Sequence, residues 1–88
     1  MYVRGTANTN NCINGKKIDN PTKCKDAGKS LGLDIDLERN TFIENLSGYP
    51  GGCYEAIISK TAWFNENPGN PRENMVPICI KGKTPSYH

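Results

Sequence analysis

Four cysteines in 88 residues constrain this chain more than any other feature. They stand at Cys12, Cys24, Cys53 and Cys79. Their number is even, the gaps are wide, and no C-x-x-C pair occurs. A structural zinc site draws two ligands from one short knuckle, and none is present. The single histidine, His88, is the last residue. Disulfides are therefore expected, with no metal and no cofactor. Two bridges place the protein in an oxidising compartment, secreted or at a cell surface. Four cysteines allow three pairings, and sequence alone does not choose among them. We favour Cys24–Cys53, which would tie a helix to a strand, with Cys12–Cys79, which would tie the ends of the domain together.

The bridges matter because the core is small. A chain of this length is one domain and buries a modest fraction of its surface. Ile, Leu, Val and Phe are few, and staples make up the difference. The formal net charge of +2 is too small to indicate nucleic acid. Lysines cluster over 16–29 without interleaved aromatics, which reads as a solvated helix face. No stretch approaches the length of a membrane span, so no membrane insertion is expected.

The polar residues 1–11 read as an N-terminal arm. In "CINGKKI", Asn14-Gly15 is a hairpin signal, and an isolated turn fits nearly as well. "DNPTKCKDAGKSLGL" (19–33) predicts a helix. Asp19 or Asn20 can cap it, Pro21 suits the first position, and Gly32 suits the stop. Cys24, Ala27, Leu31 and Gly28 share one face. The stretch 34–52 reads as a long connection with a short helix near 40–46. Pro50-Gly51-Gly52 would turn the chain into a hairpin, "CYEAIISKTAWFN" (53–65), with its turn at Ser59-Lys60. Residues 66–75, with two prolines, read as a loop. "VPICI" (76–80) is a last strand, and Pro77 suggests an edge position. Residues 81–88 form a polar tail. The expected fold is α+β: a disulfide-stabilised domain over 12–80, with one main helix packed on a short antiparallel sheet.

Several constellations bear on function. With one histidine at the tail, a Ser/His/Asp or Cys/His arrangement is not expected, and a domain this small seldom forms the cleft that paired carboxylates need. We expect no catalytic residue and no enzyme. "DIDLERN" spaces Asp34, Asp36, Glu38 and Asn40 like the start of an EF-hand loop. Arg39 replaces the required glycine and Asn45 the final glutamate, so a solvated acidic loop is the expectation. Asn45-Leu46-Ser47 is the one glycosylation sequon, because proline disqualifies Asn20-Pro21-Thr22. With a two-residue turn, Tyr54 and Trp63 fall on the face opposite Cys53, Ile57 and Phe64. Beside Tyr49 they would form an exposed aromatic surface suited to carbohydrate or a protein partner. A turn of other parity would bury Trp63 instead. Finally, "YVRGTA" has the β-propensity to join a neighbour's sheet edge, so self-assembly through residues 1–11 is the alternative.

The whole pattern resembles a small cysteine-rich module of algal and protist secreted and surface proteins. The resemblance rests on Cys12, Gly15, Ile18, Cys24, Ala27, Leu31-Gly32-Leu33, Tyr49 to Tyr54, Trp63-Phe64-Asn65 and Cys79, over roughly residues 12 to 80. It implies an extracellular disulfide-bonded module and brings no established activity. Gly28 stands where that pattern would have alanine, which suggests close packing there. The reading is thus a non-enzymatic extracellular adhesion or recognition module, with a structural subunit of an extracellular assembly as the alternative.

Overall fold

The computed structural model describes residues 1–13, 15–35 and 42–82. Among them the chain forms β1 (Tyr2–Arg4), β2 (Gly15–Lys17), α1 (Pro21–Ser30), β3 (Ile43–Glu44), β4 (Pro50–Ala56), β5 (Thr61–Gly69) and β6 (Met75–Lys81). The strands make one mixed sheet in the order β1-β6-β4-β5-β3, with β2 also paired to β6. All pairs are antiparallel except β3 with β5. The sheet is therefore larger than the short antiparallel one expected, and it dominates the domain.

The helix forms as its sequence dictates. Asn20, not Asp19, is the cap: its Oδ1 accepts from the amides of Thr22 at 2.8 Å and Lys23 at 3.2 Å. Pro21 opens the first turn. The stop uses Gly32, whose φ is +74°, and Leu33 N donates back to Gly28 O at 2.8 Å. Cys24, Ala27 and Gly28 are the buried face. A Cβ on Gly28 would lie 3.0 Å from the Ala62 Cβ, so glycine lets α1 approach β5 closely.

The core between α1 and the sheet gathers Ile18, Ala27, Leu33, Phe42, Phe64 and Ile78 around the Cys24–Cys53 bridge. The second bridge joins Cys12 to Cys79. Both are the favoured pairs.

Several expectations need correction. Residues 1–11 do not form a free arm. Val3 is the Cα partner of Cys79, Gly5 N donates to Pro77 O at 2.7 Å, and Asn8 N donates to Met75 O at 2.8 Å. Rungs supplied by β6 of the same chain turn the β-propensity of Tyr2-Val3-Arg4 into β1. Pro77 is not at an edge either, since β6 is flanked by β1 on one side and by β4 and β2 on the other. Its carbonyl serves Gly5, and its ring removes one rung toward β1 only. The expected short helix fails at Ile43–Glu44, which is β3. The expected loop is shorter at its start, because β5 continues to Gly69.

Pro50-Gly51-Gly52 does not precede the hairpin but lies inside β4, where the register with β5 shifts. A Cβ on Gly51 would overlap the Pro68 carbonyl. Gly52 has φ +74°, and its Cβ would stand 2.9 Å from Ile18 O. A bulge this tight needs both glycines.

Candidate functional site

The face assignment of the hairpin follows from its register. Cys53 pairs with Phe64 and Tyr54 with Trp63, and directly opposed residues share a face. The turn is longer than expected: Ala56 pairs with Thr61, leaving four residues in it. Both added residues, Ile57 and Ile58, come from the β4 side, and an even number preserves the parity, so Cys53, Ala62 and Phe64 face α1, while Tyr54 and Trp63 face away from it. Ile57, placed in the core by the shorter turn, sits in the turn and is exposed instead.

On the face away from the helix, Trp63, Tyr54 and Pro77 form a row across β5, β4 and β6. Tyr49 lies beside Tyr54, with ring centroids 5.9 Å apart and planes inclined by 34°. The Arg72 guanidinium stands 4.3 Å from the Tyr49 centroid, a cation–π contact. The three aromatics therefore do cluster. Their exposure differs from the expectation: Trp63 and Tyr49 are half-buried, but Tyr54 is only 1 % exposed. Trp63 and Pro77 flank it in the row, and Tyr49 lies against it. Tyr54 supports the surface rather than offering a ring to a ligand.

The Tyr54 hydroxyl donates to Glu44 Oε1. Burial raises the Glu44 pKa, and the bond from Tyr54 opposes that rise. Burial, then the bond to Glu44, pushes the Tyr54 phenol well above its ordinary value.

A set of asparagines, missed in the sequence, positions the loop that carries Tyr49. Asn65 is 1 % exposed. Its Nδ2 donates to the carbonyls of Leu46, Tyr49 and Pro50 at 2.8, 3.2 and 3.0 Å. Its Oδ1 accepts from the amides of Leu46 and Asn67 at 2.9 and 3.2 Å. Asn70 Nδ2 donates to Ser47 O at 2.7 Å, and Arg72 Nη1 to Gly48 O at 3.4 Å. From the N-terminal side, Asn10 Oδ1 accepts from Gly51 N at 2.8 Å and its Nδ2 donates to Pro68 O at 3.0 Å. The one available signal was asparagine among strand-forming residues in Trp63-Phe64-Asn65, where an amide has to find buried backbone partners.

Asn45 is exposed, and its Oδ1 accepts from Asn67 Nδ2 at 3.0 Å. Asp34 bridges to Thr61 through its backbone, whereas Asp36, Glu38, Arg39 and Asn40 of the calcium-like motif lie outside the described residues. So do Asn14, Leu37 and His88, with most of the expected tail. Among the described residues no three His, Cys, Asp or Glu side chains converge to hold a metal ion, and no helix is long and apolar enough to cross a membrane.

No family model, curated protein or solved structure matches the chain.

Proposed function

We propose that this domain is a non-enzymatic extracellular recognition module, whose contact surface is the sheet face bearing Trp63 and Tyr49. The observation that supports this is the one-sided coverage of the sheet. Among the described residues α1 is the only helix, and it lies against the face of Cys53 and Phe64. Trp63 and Tyr49 stay half-exposed on the other face, held from below by Tyr54 and from the side by Asn65. Rigid, partly exposed aromatic rings suit the apolar face of a sugar or an apolar side chain of a protein partner. Two disulfides are compatible with a secreted or surface location. A glycan at Asn45 would leave its Oδ1 bond to Asn67 intact, and we include that modification in the reading.

The alternative, a subunit joined through residues 1–11, has less to stand on, because β1 already uses its inner edge within its own chain.

The test is a glycan array probed with the oxidised protein, followed by Trp63 fluorescence titration with any hit. Binding that Trp63→Ala abolishes and Tyr54→Phe preserves supports the reading. A blue-shifted Trp63 emission, or binding indifferent to Trp63→Ala, removes it.

A further inference from the structure

A second feature lies away from the aromatic row, on the helix side of β5. Two adjoining hollows of about 270 and 410 Å³ share Asp19, Phe64 and Glu66 in their walls. Together they make one cleft between the end of β2, the start of α1 and β5. Its floor is apolar: Phe64, Pro21 and the half-exposed Ile43. Its rim is not neutral. The cap of α1 is taken by Asn20, which leaves the Asp19 carboxylate on the rim, and Glu66 stands on β5 across the shared wall. Among the described residues neither carboxylate is held in an ion pair, whose one instance is Arg4 with Glu55. Among the described residues the one cation lining the cleft, Lys17, is engaged by Asn10 Oδ1 at 2.5 Å.

We propose that this cleft docks a basic side chain, lysine or arginine, presented by a segment of a partner protein. An apolar floor below two carboxylates that no described residue pairs matches a side chain that carries a long aliphatic stem and a terminal charge. The stem covers Phe64, Pro21 and Ile43. The charge comes to rest between Asp19 and Glu66. Lys17 sets the direction, because an incoming cation is repelled from the β2 end. A sugar lacks the charge to use this rim, and an acidic segment is rejected by it. The site is independent of Trp63, so it stands or falls separately from the aromatic surface.

The experiment is a ¹⁵N-NMR titration of the whole oxidised chain with acetyl-Gly-Lys-Gly-amide, using acetyl-Gly-Gln-Gly-amide as the neutral control. The expected result is saturable millimolar binding of the lysine peptide, with shifts centred on Asp19, Phe64 and Glu66. Both acidic residues are exposed, so their amide variants should keep the fold. Asp19→Asn and Glu66→Gln should each weaken binding by about two- to fivefold, the range for an exposed charge pair. Lys17→Gln should strengthen it. Equal shifts from the neutral peptide, no cleft shifts at all, or binding unchanged in Asp19→Asn/Glu66→Gln would each overturn the proposal.

Discussion

Asn65 grips Leu46 at both of its backbone polar groups, accepting from its amide at 2.9 Å and donating to its carbonyl at 2.8 Å. A side chain here supplies the pair of bonds that a neighbouring strand would supply. The grip matters because β3 has only two residues and cannot hold the following loop by itself.

Replacing Asn65 with alanine should therefore cost about 1–3 kcal/mol, the penalty for leaving the buried Pro50 carbonyl unpaired, with the part-buried amides of Leu46 and Asn67 adding less. Asn65→Asp should be worse, because it sets a carboxylate against three carbonyls. Urea unfolding of both variants checks the order, and a loss under about 1 kcal/mol for Asn65→Ala would contradict it.

The two disulfides should not rank by loop length. Loop entropy assigns about 3.6 kcal/mol to Cys24–Cys53 and about 4.4 kcal/mol to Cys12–Cys79, from sequence separations of 29 and 67. Yet both cysteines of the shorter loop are buried within the core, whereas Cys12 is half-exposed. Deleting Cys24–Cys53 as an alanine pair also opens space beneath α1, so it should destabilise at least as much as deleting Cys12–Cys79. Under limiting reductant, Cys12–Cys79 should open first, as mass-mapped alkylation would show.

The Glu44–Tyr54 pair should make stability fall toward alkaline pH in two stages. A carboxyl whose folded pKa is raised favours folding fully below its unfolded value, near 4.5, and loses that contribution as pH climbs through the folded pKa. The Tyr54 phenol is likewise raised, so its contribution holds below 10.0 and is lost above it. Glu44→Gln should flatten the first stage. Tyr54→Phe should weaken the second, and a spectrophotometric titration of the native protein should show one tyrosine resisting ionisation.

Arg4 is expected to matter through Glu55. The two meet at 2.5 Å, with the arginine side chain 45 % exposed and the glutamate 7 % exposed. Arg4→Ala leaves a nearly buried carboxylate alone and should cost about 1–3 kcal/mol. Arg4→Ala/Glu55→Gln should recover part of that loss, and denaturant melts of the single and double variants measure it.

Local chemistry carried what was legible in the sequence. Asn20, Pro21 and Gly32 mark the helix because caps and stops act within a turn. Cys53, Phe64 and Trp63 fell on the right faces because alternation survives a turn lengthened by two. What escaped depends on partners far along the chain. Tyr2–Arg4 is a strand because β6 is there to receive it. Asn67-Pro68-Gly69 stays in β5 because Gly51 and Gly69 permit the approach of β4. Tyr54 is buried by Tyr49, five positions away, on a loop whose path is fixed by distant side chains, Asn65 and Asn70 among them.

The position of β6 has a consequence for synthesis. β1, β2 and β4 all find their partner in residues 75–81, so each waits at a ribosome or translocon exit with its inner edge open until that segment emerges. α1 and the β4–β5 hairpin can assemble early, and Cys24 can meet Cys53. Cys12 has no native mate until Cys79 arrives, and in that interval it is the thiol most exposed to wrong pairing. A disulfide isomerase working late, rather than an oxidase working early, should therefore decide the yield of correctly bridged protein.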